Sequence, residues 1–260
     1  LMQKSATSVG SKGLFRKALV LFQFTVSATL IVILFIMTNQ MSYLKTQKLG
    51  FDKDNLVSIP LYSDSLNTWV KLKSELLKQS GVTLITANNW KFGDNTSTGR
   101  VNKAYVKGEE STIVDVWLDA VEADEDFMKT MSLKMHYTSD DYKGGALTDN
   151  QVIVNQSLVK VFGWPENSVG QRVFDYEGNY KEVVAVIEDF HSYSMKEEKA
   201  PLIIENGDSE YYTNLLLKLD AAEGKRTLEN LAIIYEGIVD RPFEYYYVDD
   251  KIASYYKVEN

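Results

Sequence analysis

Residues 18–37 read ALVLFQFTVSATLIVILFIM, 20 residues from Ala18 to Met37 without one charged side chain. At 1.5 Å per residue a helix of that length covers about 30 Å, the thickness of a bilayer's hydrocarbon core. Gln23, Thr25, Ser27 and Thr29 are its only polar interruptions. Ser and Thr hydroxyls can bond back to their own helix, whereas Gln23 is best served by a neighbouring helix. The pattern therefore predicts a membrane helix that packs inside a bundle. Two plainer readings compete with it. A core helix of a soluble domain shows a polar stripe at this length, and none is present. A signal peptide has a shorter apolar region followed by small residues, whereas Thr38-Asn39-Gln40-Met41 is a poor cleavage site.

Working outward, Lys12, Arg16 and Lys17 crowd the N-terminal flank, while Lys45 and Lys48 lie beyond the far end. The positive-inside tendency places residues 1–17 in the cytoplasm and the rest of the chain outside. The helical pattern runs on through Asn39–Leu49 as a stalk and stops near Gly50. A helix from Ala18 to Leu49 is about 48 Å long, about 18 Å more than the hydrocarbon core. The chain opens on Leu1 rather than Met, which leads us to expect a start inside a longer gene product.

Charge follows the same division. Residues 1–49 hold six basic and no acidic side chains, so the remainder carries the chain's −8 and six more, −14. An acidic body of that size repels phosphates, which argues against a nucleic-acid partner. A basic, acid-free head beside an acidic body fits a segment lying against membrane lipid. The chain has no cysteine, which excludes disulfides, thiol nucleophiles and cysteine-held zinc or iron–sulfur centres.

After Gly50, strand and helix signals alternate. Asn55–Leu61 reads as a strand, then a helix capped by Asp64 or Ser65 runs to Gln79, and Val82–Trp90 is a second strand. The middle is β-rich, with strands expected at Val101–Val106, Thr112–Val121, Val152–Val154, Val169–Tyr176 and Glu182–Ile187. Short helices are expected at Asp124–Met131 and Gln156–Phe162. The last part returns to β-α-β: Asn214–Leu219, a helix over Lys225–Val239, and Phe243–Val248. A closing helix, Asp249–Val258, is expected to lead toward a further membrane span. Two β-α-β pieces around a β-rich middle imply two subdomains, one from 51–91 with 211–260 and an inserted one from 92–210.

Few residues in the sequence suggest chemistry. The two histidines, His136 and His191, stand 55 positions apart, a poor start for a metal cluster. Glu188-Asp189-Phe190-His191-Ser192 holds the residue types of a Ser–His–Asp triad, but as sequence neighbours and with no G-x-S-x-G elbow in the chain. A strand end turning into a loop explains it more simply. The acidic run Glu122, Asp124, Glu125, Asp126 lacks the glycine and twelfth-position glutamate of an EF-hand and suits a helix N-terminus instead. No phosphate-binding loop occurs, so any nucleotide hydrolysis belongs to another polypeptide. Tyr245, Tyr246, Tyr247, Tyr255 and Tyr256 read first as packing residues, with exposed members available for a protein contact. The sequon Asn95-Thr96-Ser97 has meaning only in a eukaryotic secretory pathway. No residue is assigned a catalytic, cofactor-binding or metal-ligating role.

Several segments together resemble FtsX-like, MacB-type ABC-transporter permeases, in the version common in Bacteroidetes. Phe15-Arg16-Lys17-Ala18-Leu19-Val20-Leu21-Phe22-Gln23-Phe24 resembles the start of an internal membrane helix of that family. Leu49-Gly50-Phe51-Asp52-Lys53-Asp54-Asn55-Leu56-Val57 is similar to its junction between stalk and first outer strand. Val154-Asn155-Gln156-Ser157-Leu158, Phe162-Gly163-Trp164-Pro165-Glu166-Asn167 and Val169-Gly170-Gln171-Arg172 resemble its segment of strand, helix, G-W and G-x-R. Val184-Ala185-Val186-Ile187-Glu188-Asp189-Phe190-His191, followed by Ala200-Pro201-Leu202-Ile203, resembles its V-V-x-D-F-H…P segment.

The resemblance implies an α+β periplasmic core domain, a porter-like subdomain with an inserted β-rich subdomain, carried on one N-terminal membrane helix. It implies a non-catalytic permease segment in a bacterial inner membrane. Implied partners are a cytoplasmic ABC ATPase subunit, a second permease copy, and a periplasmic or outer-membrane protein. The role that follows is mechanotransmission, with cytoplasmic ATP hydrolysis driving a periplasmic change that exports or extracts a peptide, lipid-linked or drug-like substrate. Two rivals stand beside it: a single-span receptor that senses an outer ligand, and a membrane-tethered hydrolase with converging titratable groups.

Overall fold

The computed structural model describes residues 9–46, 49–62, 68–92, 98–105, 112–174, 179–191, 199–207 and 212–258. The expected cap at Asp64 or Ser65, the sequon at Asn95, Ser192 and the far ends of two expected strands (Val106, Tyr176) lie outside these residues. The chain divides into two compact units, Leu1–Lys48 and Leu49–Asn260, each treated by itself.

The first unit is one helix, α1 (Val9–Thr46, 38 residues). Its stretch Gly13–Asn39 is long and apolar enough to cross a membrane. The Thr25 and Thr29 hydroxyls donate to the carbonyls of Leu21 (2.9 Å) and Thr25 (2.8 Å), so these polar atoms are satisfied within the helix.

The second unit is α+β. Its elements are β1 (Leu56–Pro60), α2 (Thr68–Leu76), β2 (Val82–Asn88), β3 (Thr98–Tyr105), β4 (Thr112–Ala123), α3 (Phe127–Thr130), β5 (Met135–Thr138), β6 (Gln151–Asn155), α4 (Gln156–Val161), β7 (Arg172–Phe174), β8 (Tyr180–Ile187), β9 (Leu202–Asn206), β10 (Asn214–Leu219), α5 (Gly224–Val239), β11 (Tyr246–Tyr247) and α6 (Val248–Val258). Strands run in the order β11-β1-β10-β2-β4-β3-β7-β8-β6-β9, and β9 returns to pair with β4, while β5 extends the edge of β8. The strands from β4 to β9 thus close a ring. The pairs β4–β9 and β6–β8 are parallel. Strands β2 and β4 share only the pair Asn88 and Ala123, so the open sheet and the ring meet at a narrow seam.

Each part has its own core. In the open sheet, alternate residues Val57, Ile59, Ile85, Leu215 and Leu217 face α2 and α5, which bury Leu72, Leu76, Leu228, Leu231 and Tyr235 against them. In the ring, Leu118, Val152, Val154, Val173, Val183, Val186 and Ile203 pack on α4 and on the edge-to-face pair Phe162–Trp164.

The structure corrects several sequence expectations. The helix expected over Asp124–Met131 shortens to α3, because the Asp124 carboxylate holds the corner: it accepts from Thr86 Oγ1 (2.6 Å), Ala87 N (3.0 Å) and Asp126 N (3.1 Å). The strand expected over Val169–Tyr176 begins only at Arg172, since Ser168–Gln171 forms a turn with Gly170 at φ +84. The strand expected over Val82–Trp90 ends at Asn88, whose Oδ1 accepts the Trp90 N–H and turns the chain. Of Phe243–Val248 only Tyr246–Tyr247 is strand: the Phe243 N–H goes to Glu236 Oε1 (3.1 Å), and its ring stacks on Tyr245. Strands β5 and β9 were not expected. The first is mostly exposed and lacks alternation. The second lies between β4 and β6, and its buried run is only Leu202, Ile203 and Ile204, too short to show a period.

One buried ion cluster pins α2 to the corner before α3. Lys73 Nζ lies 2.7 Å from both Asp124 and Asp126, with Lys73 13% and Asp124 3% exposed. Burial works against its charge, but the two carboxylates outweigh that and hold the ammonium above its ordinary range. Removing one partner of a buried pair strands the other. Lys73→Met should lose about 3 kcal/mol in denaturant unfolding, and Lys73→Met/Asp124→Asn should lose less than the single variant.

Candidate functional site

The four residues Leu49–Asp52 follow the apolar helix in the sequence and are fixed from several sides. Leu49 is 3% and Phe51 9% exposed. The Leu49 carbonyl accepts the His191 N–H at 2.8 Å, on the ring side of the seam. The Asp52 N–H donates to the Met131 carbonyl at 3.0 Å. The Asp52 carboxylate pairs with Lys218 Nζ at 2.7 Å, on β10 of the open sheet. The segment is thus bonded to both parts of the outer unit.

Gly50 sits at φ +90, where side-chain-bearing residues are strained. A Cβ there would lie 2.5 Å from the Asp189 carbonyl oxygen and 2.7 Å from Phe190 Cα. Backbone thus passes directly over backbone. That close approach lets the next side chain, Phe51, enter a box of aromatic rings. Its centroid lies 5.6 Å from Trp90, 6.5 Å from Phe92 and 6.1 Å from Phe190, with Trp90 and Phe190 edge-on. Tyr255 of α6 closes the box at 6.0 Å from Phe92. Such pairs each add about 1 kcal/mol beyond the area they bury. Trp90 and Phe92 follow β2 and Phe190 follows β8, so Phe51 is a wedge where the two cores meet.

The Asp189-Phe190-His191 segment is held from behind. The Asp189 carboxylate accepts from Ser157 N (2.7 Å) and Ser157 Oγ (2.9 Å) at the start of α4. Asn155 caps the same helix, its Oδ1 accepting from Leu158 N and Leu202 N (both 2.9 Å) while its Nδ2 donates to the Ala200 carbonyl (2.8 Å). The Asn155–Ser157, Asp189–His191 and Ala200–Leu202 segments therefore form one polar latch.

The candidates weighed for chemistry take structural places. Asp189 is spent on Ser157 rather than orienting His191. His136 Nε2 lies 3.6 Å from Glu188 Oε1, both about 40% exposed. The acidic run is split, with Asp124 and Asp126 on Lys73. Among the described residues no group of three His, Asp or Glu is placed to hold a metal ion. Tyr245 stacks on Phe243, and the row continues edge-on to Tyr235 at one end and Tyr247 at the other. Sequence reasoning singled out both backbone segments of the junction but not the box, because its rings come from four distant places. Their one local signal is aromatic residues beside Gly50 and Asp189.

No protein-family model matches the sequence, and no curated protein matches it. Solved structures do match. The periplasmic region of MacB from Actinobacillus actinomycetemcomitans superposes with a TM-score of 0.53 at 14% identity, over 83% of this chain and 98% of that one. A domain assigned to a permease protein of Porphyromonas gingivalis gives 0.50 at 11% identity, over 72% and 85%. The outer unit has the fold of a MacB-type periplasmic core domain.

Two tests follow from the junction. Gly50→Ala combines strain with a clash against backbone and should lose about 2 kcal/mol or more in thermal unfolding. For Asp52, burial raises its pKa, but Lys218 and the Asp54 N–H outweigh this and hold it below the ordinary carboxylate range. A depressed carboxylate stabilises the fold above its unfolded pKa, and that stability fades as pH falls through the folded value. The stability gap between wild type and Asp52→Asn should be full at neutral pH and close below about pH 4.

Proposed function

We propose that the chain is the membrane-anchored outer segment of an ABC-transporter permease that transmits motion and carries out no chemistry itself. The observation that carries this reading is the Leu49–Asp52 junction: these residues, which come after an apolar, membrane-length helix in the sequence, are wedged between two hydrophobic cores. A flexible tether would need neither a glycine forced to φ +90 nor a ring box around the next side chain. The MacB-type fold supports the same reading, since the matched structures come from a MacB periplasmic region and a permease.

In this mechanism residues 1–17 lie in the cytoplasm, 18–37 cross a bacterial inner membrane and 38–50 form the stalk. The porter-like subdomain is 51–91 with 211–260, and 92–210 is the inserted β-rich one; the separate cores and the single β2–β4 pair favour that division. ATP hydrolysis by a cytoplasmic ABC subunit moves the helix, and Phe51 moves with it. Because the wedge touches both subdomains, its displacement changes their relation. A second permease copy and a periplasmic or outer-membrane protein are the further partners, and a peptide, lipid-linked or drug-like molecule is the cargo class.

The continuity of α1 supplies the test. Helix Val9–Thr46 runs unbroken past the apolar span, and Tyr43 lies within it. Tyr43→Pro removes a backbone hydrogen bond and adds a clash, costing about 3 kcal/mol locally. In the assembled permease with its ATPase, this variant should keep ATP hydrolysis and lose transport. Transport at the wild-type rate would refute transmission through the rod.

A further inference from the structure

The face of the open sheet turned away from α2 and α5 carries a cleft that the junction does not use. Its volume is about 270 Å³, and Ser58, Asn214, Lys91, Lys251, Tyr245 and Tyr246 are among its lining residues. That is room for a ligand the size of one amino-acid residue.

Three features give the cleft a chemistry. Ser58 is 1% exposed, and its Oγ has no hydrogen-bond partner among the described residues. A buried hydroxyl left unpaired costs free energy that a bound acceptor would recover. Lys91 and Lys251 bring two ammonium groups to the same space, and neither pairs with a carboxylate among the described residues. Lys251 instead lies over the rings of Tyr246 (5.8 Å) and Tyr255 (5.4 Å). In a body of net charge −14, two cations against one acid among the described lining residues are a local reversal of sign. Among the described lining residues the one acid is Glu244, which accepts from the Tyr62 hydroxyl at 3.3 Å.

The occupant these groups fit is an acceptor-only monoanion with an apolar body. Among the described lining residues there is no arginine, the side chain that phosphate recognition favours. The rings of Tyr245, Tyr246 and Phe92 offer apolar faces beside the cations. We propose that this cleft binds a small carboxylate whose body is aromatic or aliphatic. Lys91 and Lys251 hold the carboxylate, Ser58 Oγ donates to it, and the rings cover the body. Phe92 and α6 also belong to the aromatic box, so the occupant would touch the junction's own wall. The carboxylate has two sources, a free small acid or the C-terminus of a peptide.

Calorimetric titration of the full chain in detergent micelles tests this. The probes are N-acetyl-phenylalanine, its amide, and Gly-Gly-Phe with a free or amidated C-terminus. Saturable binding of N-acetyl-phenylalanine but not its amide is the expected result. Lys91→Gln and Lys251→Gln should each weaken it about tenfold, as loss of a charge-assisted bond does. Lys160→Gln, exposed on α4, should leave it unchanged. If free-acid Gly-Gly-Phe binds at least as tightly, the source is a peptide terminus; if only N-acetyl-phenylalanine binds, it is a free acid. No saturable heat from either acid, equal binding of the amides, or affinity unmoved by both lysine substitutions would overturn the proposal. Circular dichroism on each variant separates lost binding from lost folding.

Discussion

The outer unit depends on a steric constraint: backbone at Gly50 must pass over backbone at Asp189 and Phe190, with a separation no side chain allows. Only then can Phe51 reach the rings of Trp90, Phe92 and Phe190. Leu49 and Asp52 bond to opposite sides of the seam, so the entry segment joins the two cores. It adds to the other ties across the seam, the single β2–β4 pair and the Asp124 contacts to Thr86, Ala87 and Lys73. Burial of one phenylalanine, worth about 2–3 kcal/mol, is placed where it orients both.

Polar groups give this arrangement its specificity. Asp124, Asn155 and Asp189 are buried, and each accepts two or more hydrogen bonds. A buried carboxylate or amide left unpaired is costly, so each allows few alternative packings. Asn155 and Asp189 bind the start of α4 to the segment under Gly50. Asp124 and Lys73 bind α2 to the corner leading into α3. The junction therefore rests on fixed supports on both sides of the seam. In the proposed mechanism that rigidity is what lets displacement arrive without being absorbed.

Much of the architecture was legible in the sequence because it follows from local chemistry. The charge-free run from Ala18 to Met37 announces a bilayer-length helix, and β10, α4 and α5 emerge within a residue or so of their expected spans. What was hidden depends on partners far away in sequence. Strand β9 shows no alternation because Leu202, Ile203 and Ile204 are all buried, on both faces, between β4 and β6. Asp124 reads as a helix-opening acid until Thr86, Ala87 and Lys73 are brought to it. At the junction, Leu49–Asp52 and Asp189–His191 were both conspicuous as segments. Their contact was not, since a glycine's φ and its nearest neighbour are properties of the folded chain. The cleft at Ser58 was invisible for the same reason: Lys91 and Lys251 are 160 positions apart.

The chain's lack of cysteine makes one measurement direct. Spin labels on Lys160→Cys of α4 and Glu229→Cys of α5 report the distance between the two subdomains in the assembled permease with its ATPase. The account predicts a distance change on ATP binding that disappears when a flexible glycine-serine insert separates Lys48 from Leu49. A change of equal size with the insert present would contradict transmission through this junction.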